Sequence, residues 1–197
     1  MPIIIMGQIA VTNNIPFNSE EYIVNDVLLG DDLNTSNFSS IGFQNGIGYF
    51  DGFNSNIGFD EGVILSTGGI CFPAQNCDNP TWETGSGISG DPDLELALTQ
   101  INLDWPVNNV TILEFDFVAE SESVSFNYVF ASAEYTTFTC TQYNDIFGFF
   151  LSGPNINGIY SNNAVNIALV PDPDNPGQFT NTPVAVNTIN EDLPENI

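Results

Sequence analysis

The alternation of apolar and polar residues in the middle of the chain predicts three strands. Leu113, Phe115 and Phe117 alternate with acidic residues, which is typical of a strand with one buried face. Residues 124–130 alternate in the same way after a polar break, so the two runs are expected to form a hairpin. Residues 146–151 are apolar on both faces, which indicates a short central strand that is covered on both sides.

Two short helices are predicted outside these strands. Asn18 can cap the first, with Glu21 completing a capping box, and Gly30 ends it after about ten residues. Asp91 caps the second, and Pro92 takes the first helical position, where a missing N–H costs nothing. The apolar faces comprise Ile23, Val24, Val27 and Leu28 in the first helix and Leu94, Ala97, Leu98 and Ile101 in the second.

Shorter apolar segments between turn residues predict the remaining strands. They are Phe38, residues 41–43, 47–50 and 57–59, then 63–65, 165–170 and 183–189, with loops at 71–90 and 171–182. Strands dominate, and no alternation of strand and helix suggests a parallel sheet. We therefore predict a mainly β fold, a β-sandwich of jelly-roll character with two short helices.

A length of 197 residues is suited to one domain with a sizeable core. We assign residues 18–190 to that domain, 1–17 to an N-terminal segment and 191–197 to a tail. The apolar residues 2–6 are interpreted either as the remnant of a signal segment or as a first strand. No apolar segment reaches the length of about 18 residues that a membrane span needs, so we expect no membrane insertion.

The charge of the chain narrows the possible functions. It contains no Lys, Arg or His, and its 25 acidic residues give a formal net charge of -25. Without cations there is no electrostatic attraction to nucleic acid or to an anionic membrane, so neither is an expected partner. A chain without His or Lys also has no conventional catalytic triad, imidazole metal site or Schiff base. Because no pair of carboxylates is marked for glycoside hydrolysis either, we expect no enzyme.

The same carboxylates make calcium the metal to consider, because Ca²⁺ prefers oxygen ligands. Glu134 and Asp145 flank the loop around Cys140, between two predicted core strands, and Asn144 or backbone carbonyls would complete their ligand set. We therefore predict a calcium site at Glu134 and Asp145. The alternative is that these carboxylates only cap turns and keep the surface soluble.

Cysteines and aromatic residues suggest two further features. Cys71, Cys77 and Cys140 allow three pairings, each with one thiol left over, and a Cys77–Cys140 or Cys71–Cys140 bridge would tie a loop to the turn before the central strand. Three unlinked thiols are the alternative. Trp82, in a glycine-rich loop, is the candidate for stacking on a sugar ring, although most aromatic residues fill cores instead.

Eight sequence blocks follow one another in an order that is more specific than any single block. They are VNDVLLG (24–30), GIGYFDG (46–52), GVILSTG (62–68), LEFDFV (113–118), SFNYVFASAEY (125–135), YNDIFGFFLSGP (143–154), NIALVP (166–171) and TPVAVNTIN (182–190). Together they cover nearly the whole chain, and in this order they resemble the choice-of-anchor L domain family.

The resemblance implies an extracellular or cell-surface protein without catalytic activity. Members of the family occur in secreted proteins of Bacteroidota, including proteins similar to gliding-motility adhesins that type IX secretion delivers. Two departures stand out. Ala133 replaces the first carboxylate of an expected Ser-Glu-Glu-Tyr motif, and the chain ends soon after Asn190, where related proteins continue to an anchor. On this basis the chain is interpreted as a fragment of a longer protein.

These observations lead to two hypotheses about function. The first is a non-enzymatic structural or adhesive module of a surface protein or filament, whose partners are other protein subunits or further domains of the same protein. The absence of Lys and Arg suits this role, because trypsin-like proteases have no cleavage site. The alternative is a calcium-dependent carbohydrate-binding module with surface glycans as its ligands.

Overall fold

The computed structural model describes residues 9–29, 33–43, 45–70, 88–119, 123–141 and 143–190. It places them in two compact units that are interleaved in sequence. The first is drawn from Met1–Ser89 and Asn108–Asn127, and the second from Gly90–Val107 and Tyr128–Ile197. No helix in the described ranges combines the length and the apolar character needed to cross a bilayer.

The first unit contains two small antiparallel sheets. One has the order β1-β3-β4, and the other pairs β2 with β5. The strands are β1 (Ala10–Thr12), β2 (Asn34–Ile41), β3 (Ile47–Asp51), β4 (Glu61–Leu65) and β5 (Ile112–Val118). Residues 57–59 are not the strand that was predicted, because Gly58 has a left-handed φ of 89° that interrupts the extended backbone.

The β2–β5 pair confirms the first predicted central strand. Phe115 and Phe117 of β5 are partly buried, whereas Glu114 and Asp116 are exposed, as their alternation predicts. The register runs from Asn34 opposite Val118 to Ile41 opposite Ile112, with a shift between Ser36 and Ser39. Asn37 lies within that shift with a φ of 57°, and its Nδ2 donates to Asp116 Oδ2 at 2.6 Å.

The predicted hairpin partner of β5, residues 124–130, is not a strand, and this prediction was wrong. Its alternation survives as burial, because Phe126, Tyr128 and Phe130 are partly buried and their neighbours are exposed. The boundary between the two units falls between Asn127 and Tyr128. The two halves of residues 124–130 belong to different units, so this segment does not pair with one strand along its full length.

The first helix begins one residue later than predicted and winds differently. Ser19, not Asn18, is the cap: its Oγ accepts from Tyr22 N at 3.3 Å, after a turn in which Ser19 N donates to Pro16 O. Helix α1 (Glu20–Tyr22) continues directly as a π-helix, Ile23–Leu29. The wider π-turn shifts the later side chains around the axis, so Leu28 is 37% exposed although Ile23 is buried.

Among the described residues, the second unit contains one α-helix, a short 3-10 helix (Ser161–Asn163) and five short strands. The strands form an antiparallel sheet in the order β6-β10-β9 and a separate β7–β8 pair. The elements are α2 (Pro92–Thr99), β6 (Ile146–Phe147), β7 (Phe150–Leu151), β8 (Val165–Asn166), β9 (Leu169–Pro171) and β10 (Phe179–Ala185). Strand residues make up 29% and helical residues 13% of the described residues, which confirms the mainly β class with two short helices.

The predicted strands 146–151 and 165–170 are each broken in the middle, into β6 and β7 and into β8 and β9. Asn166, which is buried, accounts for both breaks. Its Oδ1 accepts hydrogen bonds from Phe149 N and from Ala168 N, each at 3.0 Å. Because these two N–H groups donate to a side chain, they cannot donate to a neighbouring strand. The continuous central strand that the apolar run predicted is therefore replaced by two strands with different partners.

The last strand is displaced relative to the prediction of 183–189. It begins at Phe179, opposite Pro171, and shortens the predicted loop at 171–182. It ends at Ala185 because the chain then turns: Thr188 N donates to Ala185 O at 3.0 Å, and Thr188 Oγ1 donates to Pro183 O. Val184 and Val186 are both fully buried, together with Ala185 between them.

Helix α2 begins where the sequence predicted it, and it forms part of the core of the second unit. Asp91 Oδ1 accepts from Asp93 N and Leu94 N at 3.1 and 2.8 Å, and Pro92 takes the first helical position. The core cluster consists of Ala97, Tyr160 and Ala164, with Leu96, Ile146 and Phe150 packed against it. The rings of Phe150 and Tyr160 lie 4.7 Å apart, at a distance that favours aromatic packing.

Replacing Gly158 by Ala is expected to destabilise the fold. An added Cβ would overlap the backbone carbonyl of Ala164. That carbonyl is held next to the turn because its oxygen accepts a hydrogen bond from Tyr160 N. The overlap can be removed only if the backbone of the whole turn moves. We therefore expect a loss of about 1–3 kcal/mol in the free energy of unfolding. Chemical denaturation measures it. Gly153→Ala is the matched control, because its Cβ would meet only Ile156 Cδ1 at 3.7 Å; equal losses in both variants would contradict the prediction.

Candidate functional site

The strongest candidate site lies in the second unit, where residues 132–145 meet the end of β10. We call it the Glu134 cluster and define it by Ser132, Glu134, Tyr135, Asn144 and Asp145. These side chains come from the two segments that flank Cys140. The structure therefore brings the predicted residues Glu134, Asp145 and Asn144 into one neighbourhood.

Hydrogen bonds from the end of β10 hold the second flank of the cluster in place. Asn144 Oδ1 accepts from Asn187 N at 2.8 Å, and Asp145 O accepts from Val186 N at 3.0 Å. The Asn187 side chain bonds in turn to the loop, accepting from Cys140 N at 2.7 Å and donating to Thr141 O at 3.0 Å. Because backbone groups supply most of these bonds, the loop has a defined position on the sheet.

Tyr135 attaches the first flank of the cluster to the same segment. Its Oη donates to Ile189 O at 2.5 Å. Burial raises the pKa of the Tyr135 phenol, and the nearby charge of Asp145 raises it further. The phenol therefore remains a donor at neutral pH and keeps this contact.

The two carboxylates of the cluster have contrasting environments. Asp145 Oδ2 accepts from Ser132 Oγ at 2.6 Å, and the same hydroxyl accepts from Glu134 N at 2.9 Å. Glu134 Oε2 is buried and has no hydrogen-bond partner, and the same holds for Asn144 Nδ2. Burial raises the pKa of Glu134, and repulsion from Asp145 raises it further. A buried carboxylate oxygen with no donor is the exception in folded proteins, since such oxygens are nearly always paired.

The chemistry available to the cluster is that of oxygen ligands. Glu134 and Asp145 supply two carboxylates. A cation bound by both would remove the repulsion between them and would give Glu134 Oε2 a partner. Across the described ranges no three acidic or cysteine side chains converge in a way suited to a metal ion. A cation at the cluster would therefore need backbone carbonyl or water oxygens beside the two carboxylates.

Two of the predicted functional residues cannot be placed. Cys77 and Trp82 lie outside the described residues, as does Cys71, so the disulfide and the sugar-stacking site stay predictions. Cys140 is exposed, in the loop of the cluster, with a left-handed φ of 60°.

Sequence reasoning missed three contributors to the cluster: Ser132, Tyr135 and Asn187. Ser132 and Tyr135 lie beside Glu134 in sequence, so their proximity was a usable signal. Asn187 lies 43 residues from Asn144 and 47 from Cys140, and only the tertiary fold brings them together. Its polar side chain within an apolar run was the one available indication.

Comparisons with known proteins give one positive result. The model of the family described as the choice-of-anchor L domain matches residues 11–196. No curated protein matches the chain, and no solved structure does. The match covers far more than half of the sequence and includes every residue of the Glu134 cluster.

Replacing Glu134 by Gln is expected to raise stability at neutral pH. Because the pKa of Glu134 is raised above its ordinary value of 4.5, the folded chain holds this proton more tightly than the unfolded chain does. Stability therefore falls as pH rises from that ordinary value through the raised one. Since Gln cannot ionise, the variant should melt above the parent chain at a pH of about 7, and level with it at about 3.5.

Calorimetry at both pH values, in buffer containing a chelator, measures the two melting temperatures. Glu114→Gln, which removes the same charge from an exposed position of β5, is the control and should show a smaller difference. A Glu134→Gln variant that melts below the parent chain at both pH values would show that the carboxylate makes a stabilising contact instead.

Proposed function

Because the chain belongs to the choice-of-anchor L domain family, we propose that it is a structural or adhesive module that links protein subunits or domains at a cell surface. Choice-of-anchor domains are surface-associated and do not form an enzyme family. We further propose that it links subunits within a surface protein or filament of Bacteroidota that type IX secretion exports.

The exposure of large apolar side chains carries the linking role. Phe53 is 73% exposed in the first unit, and Ile159 and Phe179 are 67% and 61% exposed in the second. Each is a side chain whose burial against a partner would stabilise a complex by about 1.5–3 kcal/mol. Aromatic residues of this kind often dominate the free energy of binding at protein interfaces.

Open strand edges support the same proposal. In the part of the chain that the structure describes, β2 and β5 pair with each other alone, so each leaves one edge without a neighbouring strand. An added strand from another chain would satisfy the backbone groups along such an edge. Acidic side chains on β5, Glu114 and Asp116, would disfavour pairing with a second acidic copy and favour a partner of another composition.

Self-association through apolar side chains is expected to increase with salt. Two copies repel each other because each carries a charge of -25, and ions screen that repulsion without weakening apolar contacts. Sedimentation velocity should therefore show more dimer as NaCl rises from about 20 mM to about 500 mM. Phe179→Asp should abolish the dimer.

Asn181→Asp is the matched control, because it places the same new charge at an exposed position on the same strand. It should leave the dimer largely intact. A chain that stays monomeric at all salt concentrations, and that binds no protein partner, would contradict the linking role.

A second candidate function is a calcium-dependent carbohydrate-binding module. The observation in its favour is Glu134 Oε2, a buried carboxylate oxygen without a partner beside a second carboxylate. A bound Ca²⁺ would accept both carboxylates as ligands and remove their repulsion. Its glycan-binding part depends on Trp82.

Calcium is expected to raise the melting temperature if this second function is correct. A ligand at 100 times its Kd stabilises the folded state by about 2.7 kcal/mol, which corresponds to several degrees for a chain of this size. Differential scanning fluorimetry with about 10 mM Ca²⁺, Mg²⁺ or chelator measures the shift. Ca²⁺ should act more strongly than Mg²⁺, and Asp145→Asn should lose the effect.

Asp174→Asn removes a carboxylate from the exposed β9–β10 loop and should keep the calcium effect. Equal shifts with Ca²⁺ and Mg²⁺ would indicate general screening of the acidic chain and contradict a site. A glycan array then tests the second part of this function, because Trp82→Ala should remove any signal. A chain without glycan signal in the presence of calcium is not a carbohydrate-binding module.

A further inference from the structure

A cavity of about 270 Å³ lies within the first unit, far in sequence from the Glu134 cluster. The turn before α1, the helix itself, the end of β2 and the start of β3 all contribute to its walls. Its lining is mixed: the apolar residues include Phe17, Ile23, Phe43 and Ile47, and the polar residues are Asn13, Asn18, Ser19, Glu20 and Ser40. With about 30 Å³ for each water molecule, it has room for roughly nine waters, the size of a small organic ligand.

The apolar part of the lining combines aromatic and aliphatic side chains. The Phe17 ring stacks on Tyr49 with centroids 4.5 Å apart, and it meets Tyr22 edge to face at 5.6 Å. These contacts fix the orientation of Phe17 before any ligand binds. Ile23, which also lines the cavity, is almost fully buried and adds an aliphatic contact. Such walls suit an alkyl chain, and the aromatic faces also attract a cation.

The polar side of the cavity is provided by an ionised acceptor. Glu20 Oε1 accepts from Ser40 Oγ at 2.6 Å. The hydrogen bond from Ser40 lowers the pKa of Glu20, and a second from its own backbone N–H adds to the effect. A carboxylate accepts about four hydrogen bonds, so positions remain for donors of a ligand. The Ser40 proton is already directed at Glu20, so the pair presents mainly acceptors.

The composition of the chain decides which ligand this arrangement favours. With no Lys, Arg or His anywhere in the sequence, no internal side chain can neutralise Glu20. The net charge of -25 attracts cations and repels anions. An ionised acceptor, aromatic rings and apolar walls together match a protonated amine on an alkyl chain better than a neutral sugar, which would not gain from the charge.

We propose that this cavity binds an alkylammonium group, with Glu20 accepting from the ammonium, Phe17 and Phe43 contacting it or its chain, and Ile23 and Ile47 contacting the methylenes. The chemistry is shared by a lysine side chain of another protein and by a free polyamine. This site is independent of the apolar association and of the calcium site proposed above, because it uses none of their residues.

Titration of the whole chain with 1-aminopentane, followed by NMR, tests the site. We expect saturable shifts of the Phe17 and Phe43 ring protons, and 1-pentanol, which has the same chain without the charge, should bind at least tenfold more weakly. Glucose should cause no shift. Binding of pentanol as tightly as the amine, binding of glucose instead of the amine, or no binding at all would overturn the proposal.

Two variants separate a specific contact from attraction to the acidic chain. Glu20→Gln keeps the size of the side chain and an acceptor for Ser40, and it should weaken the amine at least tenfold. Glu21→Gln removes the same charge from the next residue, which is exposed and does not line the cavity, and it should change binding less than twofold. Equal effects of the two variants would overturn the proposal, and circular dichroism confirms that both are folded.

Two further ligands identify the source of the amine. Nα-acetyl-lysine methylamide represents a lysine within a protein, and 1,5-diaminopentane represents a polyamine. Tighter binding of the first would assign the cavity to a partner protein, and tighter binding of the second would assign it to polyamines. If neither binds while 1-aminopentane does, the cavity accepts only an alkylamine whose far end is unsubstituted, and both proposed sources are wrong.

Discussion

No carboxylate in this chain can form a salt bridge with a side chain, because the sequence supplies no Lys, Arg or His. The structure shows how hydroxyl and amide groups donate to carboxylates instead. Ser40 donates to Glu20, Asn37 to Asp116, Ser132 to Asp145 and Ser161 to Asp93, at 2.6 to 2.9 Å. The Tyr49 phenol donates to Glu61 at 2.8 Å, and this bond raises the pKa of Tyr49 to about 12. Such pairs keep the charge at the surface without a salt bridge.

The same constraint makes the two candidate sites recognisable. Most acidic side chains that the structure describes are either exposed or hydrogen-bonded, so a carboxylate that departs from this pattern is informative. Glu134 departs by having a buried oxygen without a donor, close to a second charge. Glu20 departs by lining a cavity with aromatic walls, while a hydroxyl holds it in the ionised state. For these two arrangements we proposed positive ligands from outside the chain, a metal ion for the first and an ammonium group for the second.

Sequence patterns predicted the elements whose residues decide their own conformation. The alternation in β5 and the Asp91-Pro92 start of α2 are local signals, and both were confirmed. The absence of a hairpin partner for β5 was not predictable. The alternation in residues 124–130 indicates which side chains are buried, but it does not indicate which segment pairs with them. The break between β6 and β7 depends on Asn166, a residue that is distant in sequence from the N–H group it takes. Glu134 and Asp145 were predicted as a site from their loop, and the structure places them near each other, whereas the contribution of Asn187 and the cavity beside Glu20 arise only from tertiary contacts.

The interleaving of the two units determines the order in which this chain can acquire structure. The β2–β5 pair joins residues 34–41 to 112–118, and the intervening α2 belongs to the other unit. The sheet of the second unit closes only with β10, which ends at Ala185. The chain must therefore be available as far as Val118 before the first unit has all of its described strands, and as far as Ala185 before the second unit has its own. Long-range pairing of this kind is slow. The first unit can therefore complete its described strands while β10 of the second is still absent.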